Sequence, residues 1–201
     1  MKSHIMLVRG MSEREVLKHF RRSIPLWAGN SIEVIGIFLG AIMLYLVSLM
    51  YNPLLRLLSL FVAWLCFWYF SHCLAHYIVG RFLGVNYLYY YFGRSSLIKL
   101  NLRPISFIMK FVPVLGIKID KASFKNISRY RKAATYASGA FASMLAPLIP
   151  FIYSAIHLDL FTTLAFSFIT FGNIIFTLYF SSKVGDLSRA RKALRQDQNN
   201  L

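Results

Sequence analysis

The chain has 201 residues, of which 57% are hydrophobic, and it carries a formal net charge of +16 at pH 7. Few soluble domains combine so much apolar sequence with so much positive charge, so the composition argues against a soluble enzyme or binding module. A membrane protein accommodates both features, because its apolar segments lie in the bilayer and its basic residues flank them.

Four apolar runs define the organisation of the chain, at about residues 32–50, 54–79, 133–157 and 160–182. Each is long enough to cross a ~30 Å hydrocarbon core, which takes ~20 helical residues. We therefore expect an all-α polytopic membrane protein with about four transmembrane helices. The expected division is a cytoplasmic or interfacial leader at 1–30, a membrane domain at 31–182 and a tail at 183–201.

The basic residues give a topology. Of the 23 Lys and Arg residues, six precede the first run, one is Arg56 in the second run, eleven lie in 80–132 and five follow the fourth run, while the two short turns have none. Because basic loops stay in the cytoplasm, both termini and the long loop are predicted to be cytoplasmic. The charges flank helix ends instead of forming one basic and aromatic surface, so we expect contact with the bilayer and its anionic lipids and no nucleic-acid partner.

The segments outside the four runs have their own patterns. Residues 12–24 combine a capping box with an apolar face, which predicts a helix on the membrane surface. Alternation at 98–103 and 117–120, and the aromatic run at 87–92, predict strands. The apolar stretch 105–117 is too short to span. The loop between the second and third helices is therefore expected to be strand-rich and partly re-entrant.

Two histidines near the end of the second run suggest a metal site. His72 and His76 lie one helical turn apart on one face, where two imidazoles can bind one ion. Polar residues inside a span are costly and point to function. Zinc needs a further protein ligand, and there are seven acidic residues. Glu13, Glu15 and Asp197 are peripheral, Glu33 is placed at the start of the first helix, and Asp159 is placed outside. Asp120 and Asp186 are left as candidate ligands. Asp186 suits either a ligand or the cap of a tail helix.

Several stretches together resemble the site-2 protease family of intramembrane zinc metalloproteases. They are His72-x-x-x-His76, the segment Gly80–Val85, the strand-rich loop, the segment Ser138–Ser143, Asn173 and Asp186, covering about residues 54–192. The resemblance implies that His72, His76 and Asp186 bind zinc and that the loop holds an unwound transmembrane client by edge pairing. It also implies a place for Asn173 at the substrate, with an interhelical hydrogen bond as the alternative.

The sequence departs from that family at two places. Asn173 and Asp186 are thirteen residues apart with no proline between them, and Gly185 precedes the aspartate, unlike the usual N-x-x-P-x-x-x-x-D-G. Cys73 stands where H-E-x-x-H has its glutamate, the group that carries the proton from water to the leaving amine. Such proton transfer is worth ~10²–10⁴-fold in rate, and a thiol is a poor replacement.

Three functions remain open on the sequence. The first is a pseudoprotease that still binds zinc and holds a transmembrane client with impaired or lost hydrolysis. The second is an active enzyme in which Cys73 serves as an unusual base, or a changed site in which it is a further ligand. The third is a structural or transport-associated membrane subunit in which the histidines only form hydrogen bonds and no metal binds.

Overall fold

The structure is a computed structural model that describes residues 23–93 and 114–195. Within these residues the elements in chain order are β1 Ser23–Ile24, α1 Leu26–Leu49, α2 Pro53–Phe82, β2 Tyr87–Gly93, β3 Val114–Ile119, α3 Lys121–Lys125, α4 Arg129–Leu145, α5 Leu148–His157, α6 Leu160–Val184 and α7 Asp186–Arg195.

Among the described residues, four stretches of helix are long and apolar enough to cross a membrane, and each overlaps one of the four predicted runs. They are α1, α2, the pair α4 and α5 taken together as Arg129–His157, and α6. Large apolar side chains remain exposed along them, as expected for surfaces that face lipid. The prediction of a helical membrane protein with four spanning helices is thus confirmed at this level.

The third run is divided in two. Proline at 147 has no backbone N–H and crowds the preceding turn, so α4 ends at Leu145 and α5 begins at Leu148. Proline at 150 falls in the first turn of α5, where a missing N–H costs little. The run therefore forms two helices that continue one after the other, which periodicity alone did not reveal.

Strands β2 and β3, between the second and third spans, form a three-stranded antiparallel sheet with β1, which precedes the first span; the order is β1-β2-β3. Ile24 pairs with Tyr90, which in turn pairs with Ile117. The strand predicted at 87–92 is confirmed. The strand predicted at 117–120 is confirmed as the end of β3, although Asp120 leaves the strand and caps α3 by accepting hydrogen bonds from the N–H groups of Ala122 and Ser123.

Two local predictions are wrong at their edges. The surface helix predicted over 12–24 does not include Ser23 and Ile24, because the proline at 25 holds the preceding residue in an extended conformation and β1 forms there. The re-entrant segment predicted over 105–117 ends in strand β3 from Val114 onward. The rest of both segments, and the strand predicted at 98–103, lie outside the described residues.

The first helix begins earlier than its apolar run. It starts at Leu26, so Glu33 lies two turns inside a spanning helix and is not at its beginning. Gly29 and Gly36 on the same helix leave room for the rings of Tyr90 and Phe70, because a Cβ at either glycine would overlap them. The first helix therefore packs closely on both α2 and the sheet.

Candidate metal centre

The two histidines lie on α2, and Asp186 is the first residue of α7. The imidazole rings of His72 and His76 have their centroids 4.9 Å apart and are nearly perpendicular. The chain turns sharply at Gly185 after α6, and this turn brings the Asp186 carboxylate next to the two imidazole rings. Among the described residues, these three form a group of side chains that could hold a metal ion.

The distances inside the cluster suit a tetrahedral ion. One carboxylate oxygen of Asp186, Oδ2, lies 3.2 Å from Nε2 of His72 and 3.3 Å from Nε2 of His76. Nitrogen and oxygen ligands lie ~2.0–2.1 Å from zinc, so two ligands of a tetrahedral zinc ion are about 3.3–3.4 Å apart. Both imidazole–carboxylate distances thus match the spacing of zinc ligands, and the ligand atoms all lie within 4.8 Å of one another.

Hydrogen bonds on the far side of each ring set its orientation. Nδ1 of His76 lies 2.7 Å from the carbonyl oxygen of Thr135. Because a carbonyl only accepts, this nitrogen carries the proton and donates it. Nδ1 of His72 lies 2.9 Å from the hydroxyl of Ser143. Both rings therefore present Nε2 to Asp186, the arrangement in which an outer hydrogen bond fixes a metal-binding imidazole.

Helix α4 forms both of these hydrogen bonds and also leaves space for the ring of His76. A Cβ at Gly139 would overlap the ring of His76, so only glycine permits the ring to stand there. Thr135 and Ser143, one turn before and after Gly139, are both buried. The segment Ser138–Ser143, which carries part of the family resemblance, thus contains residues that contact both histidines.

Asp186 is held in its charged form. Its side chain is 14% exposed, and burial by itself raises the pKa of the carboxyl. Hydrogen bonds from His72 and His76, and the electrostatic interaction of the two rings with the carboxyl, outweigh burial and hold the pKa of Asp186 well below its usual range. The other oxygen, Oδ1, lies 3.3 Å from Nη1 of Arg189. A carboxyl that stays ionised is a good ligand for a metal cation.

The alternative role of Asp186 as a helix cap is filled in part by another residue. The N–H of Leu187, at the start of α7, donates to the hydroxyl of Ser181 at 3.1 Å. The Asp186 carboxylate instead faces the two imidazoles. The geometry therefore favours the ligand role that the sequence left open.

Cys73 points away from the cluster. Its thiol is buried and donates to the carbonyl oxygen of Leu115 on β3 at 2.9 Å. It packs in an apolar cluster with Tyr90 and Leu115. The side chain at the predicted general-base position is thus tied to the sheet and lies outside the group of three ligands.

Asn173 bridges two helices. Its Nδ2 donates to the carbonyl oxygen of Ser143 at 2.9 Å, which joins α6 to α4. This is the interhelical hydrogen bond that the sequence offered as the alternative to a substrate contact. Since the hydroxyl of Ser143 also contacts His72, Asn173 is connected to the cluster through one residue.

Sequence reasoning missed Thr135 and Arg189 at this site, because their roles depend on which helices meet. Gly139 lies in the singled-out segment Ser138–Ser143, but its contact with the ring of His76 was not predicted. Glu33 was placed at the start of the first helix, although it is buried two turns inside α1.

Comparisons of the chain with protein-family models, with curated proteins and with solved structures found no match. The resemblance to site-2 proteases therefore stays a prediction. The observed fold and cluster define a broader class, a helical protein with four apolar helices long enough to span a membrane and a His-His-Asp group that could hold a metal.

Proposed function

We propose that this protein is a site-2-protease-like membrane protein that binds zinc through His72, His76 and Asp186. In this proposal it holds transmembrane client segments and hydrolyses them weakly or not at all. The hydrogen bonding of His76 carries the proposal. Its Nδ1 donates to a carbonyl, so in the neutral ring Nε2 has a lone pair, and Nε2 lies 3.3 Å from a carboxylate oxygen that can only accept. A cation between the two atoms resolves this repulsion.

Zinc in particular fits the ligand set, since two imidazoles and one carboxylate form a common catalytic set with a fourth position open. When bound there, zinc supplies a Lewis acid and a water whose pKa is lowered. The chain itself would fix the rings through Thr135 and Ser143 and would hold the second carboxylate oxygen through Arg189.

The holding of a client is supported by the sheet. Strand β3 pairs with β2 on one side and is the last strand in the described sheet order, so an extended peptide could add along its other edge. Weak hydrolysis is supported by Cys73, whose thiol donates to the carbonyl of Leu115 instead of facing the cluster. The client is therefore a transmembrane segment that is bound more readily than it is cut.

We further propose that both termini and the central loop are cytoplasmic. The basic residues of α7 support this orientation: Arg189, Arg191, Lys192 and Arg195 are exposed, while Ala190 and Ala193 pack against α4. A basic helix of this kind lies well on the anionic surface of the cytoplasmic leaflet.

Zinc stoichiometry tests the proposal. Elemental analysis of the full chain purified in detergent should find about one zinc per chain in the wild type and none in His72→Ala/His76→Ala, as expected for one mononuclear site. His157→Ala is the matched control, because His157 ends α5 against the ring of Tyr153, outside the ligand cluster. Folded wild type that takes up no zinc would refute the proposal.

The second candidate is a structural or transport-associated subunit without a metal. One observation favours it: a doubly protonated His76 would donate from both nitrogens and form an ion pair with Asp186 at the same 3.3 Å. The zinc measurement separates the two candidates, because an imidazolium–carboxylate pair needs no metal.

A further inference from the structure

Helix α7 carries the candidate ligand Asp186 on the face that packs against the bundle. Asp186, Ala190 and Ala193 follow one another at the i, i+4, i+7 spacing of a single helix face. The Asp186 side chain is 14% exposed, and both alanines are buried in a cluster with Ala133 of α4. Alanine has only one methyl group to bury, and a helix of ten residues is marginal by itself. The apolar packing that holds α7, and with it Asp186, is therefore small.

The opposite face of α7 is basic. Arg191, Lys192 and Arg195 lie on that side of the helix, and all three are exposed. Within residues 23–93 and 114–195, none of the three forms an ion pair. Their charges are therefore open to a partner outside the described part of the chain.

The start of α4 adds three more positive charges beside this face. Helix α7 runs back along α4, because Asp186 meets His76 beside Gly139, and Ala193 packs in one cluster with Ala133. The last turn of α7 thus lies near the first turn of α4, which is basic and has no acidic residue. Positive charge at the start of a helix is unfavourable, so these residues do not serve the helix itself. Together the six residues form the basic surface: Arg129, Arg131, Lys132, Arg191, Lys192 and Arg195.

The basic surface lies at the level of the lipid headgroups. The apolar span that begins at Arg129 ends at His157 and has 29 residues. A helix of this length measures about 43 Å, against ~30 Å for the hydrocarbon core and ~40–45 Å for a bilayer with its headgroups. The first turn of α4 therefore stands among the headgroups, where the phosphates of anionic lipids complement its charge.

We propose that the basic surface binds the phosphate headgroups of anionic lipids and that this contact fixes Asp186 at the two imidazoles. The inference rests on the proposed function, since it names a regulator of that same site. Both helices of the basic surface also build the site, because α4 contacts His76 through Thr135 and α7 begins with Asp186. Arg189 joins the two, since its Nη1 lies 3.3 Å from Oδ1 of Asp186 while its side chain is 57% exposed. The coupling is reciprocal, so lipid that holds α7 raises zinc affinity by the factor by which zinc raises lipid affinity.

The first test needs no metal. Metal-free, full-length protein is placed in nanodiscs of phosphatidylcholine alone, or of equal parts phosphatidylcholine and phosphatidylglycerol, and hydrogen exchange of the α7 amides is followed by mass spectrometry. Exchange should be about 5-fold slower or more in the anionic discs, because the helix is held by its basic face. Inorganic phosphate added to the neutral discs should not slow it. Equal protection by phosphate would show a site for the free ion and would overturn the assignment to lipid.

The α7 variant is Arg191→Gln/Lys192→Gln/Arg195→Gln, and it should lose the protection in the anionic discs. It also corrects for the lower pH beside an anionic bilayer, since that pH is the same for both proteins. Equal exchange of the wild type and the α7 variant in these discs would overturn the inference.

A matched control removes three exposed lysines of β3 and α3 that lie outside the basic surface: Lys118→Gln/Lys121→Gln/Lys125→Gln. It lowers the net charge as much as the α7 variant does and should keep the protection of α7. Loss of the protection in this control as well would show a general attraction of the protein to the bilayer and would overturn the assignment to the basic surface.

The second test measures zinc affinity in the same discs by competition with a chromophoric chelator. In the anionic discs the wild type should bind zinc about 5-fold more tightly or more than the α7 variant, the lower end of typical couplings between sites. In the neutral discs the wild type should have no such advantage. Direct electrostatics predicts the opposite order, since the variant has fewer positive charges to repel the ion. Equal affinities in the anionic discs would overturn the coupling.

Folded wild type that takes up zinc in neither disc would refute the proposed function. This result is distinct from failure of the inference, because the exchange measurement reports on α7 and its lipid without any metal.

Discussion

The two halves of the helical bundle use polar side chains differently. The turn half contains the connections at residues 50–52 and 158–159, and the site half contains the metal cluster and the sheet. In the turn half, Asn52 caps α2 and Asp159 caps α6, around an apolar core that includes Leu60 and Phe166. In the site half, His72 and His76 face the Asp186 carboxylate, and Glu33 is buried in α1.

This contrast separates polar groups that serve the fold from those that do not. A cap satisfies N–H groups at a helix end and adds stability where it stands. A carboxylate between two imidazoles, or a buried carboxyl such as Glu33 that has no hydrogen-bond partner among the described residues, is expected to add little stability beyond apolar packing. We therefore expect substitutions in the site half to affect metal binding and those in the turn half to affect only stability.

The largest effect is expected from Asp186→Asn, which removes the charged ligand from the site half. Zinc affinity, measured by competition with a chromophoric chelator, should fall by more than the ~10–100-fold that loss of an outer hydrogen-bond partner costs. Asp120→Asn is the control, since Asp120 caps α3. Equal affinity of the two variants would remove Asp186 from the ligand set.

Gly139→Ala is expected to have an intermediate effect, because its new methyl group would displace the ring of His76. The displacement should cost about 1–3 kcal/mol of stability, as overpacking does, and about 10–100-fold in zinc affinity. Gly172→Ala is the matched control, since nothing lies within 4 Å of a Cβ there. It should gain up to ~1 kcal/mol from helix propensity. Equal zinc affinities in the two variants would contradict the geometry of the site.

The smallest effect is expected in the turn half, from the cap of α6. Hydrogen bonds from the backbone N–H and hydroxyl of Thr162 lower the pKa of Asp159. A lowered folded pKa means that the stabilisation is present above the carboxyl's unfolded value of ~3.9 and is lost as pH falls through the folded value. Against Asp159→Asn, the wild type should show a small advantage in melting temperature at pH 7 that disappears in acid, with zinc content equal.

Most of the fold could be predicted from the sequence, because spanning helices need long apolar runs and α1, α2 and α6 have them. The placement of His72 and His76 on one face of α2 could also be predicted, since the two residues are one helical turn apart. The start of α1 at Leu26 was not predictable from hydropathy, as Gly29 and Asn30 interrupt the apolar run without breaking the helix. That error placed Glu33 at a helix end.

The surroundings of the histidines could not be predicted, because they depend on contacts between distant segments. Whether Thr135 offers a carbonyl to His76, or whether Gly139 faces its ring, is decided by how α2 and α4 approach each other. Asp186 could be named as a candidate by elimination, but its choice between capping and facing the imidazoles depends on where α6 ends.

The position of Asp186 also has a consequence for biosynthesis. His76 and Asp186 are 110 residues apart in the chain, and the aspartate follows the last spanning helix. The ribosome therefore produces the histidines long before it produces their partner. An ion held by all three would close a long loop and would bind only after α6 has been synthesised and has packed against α4, so uptake of the ion would report that α6 is in place.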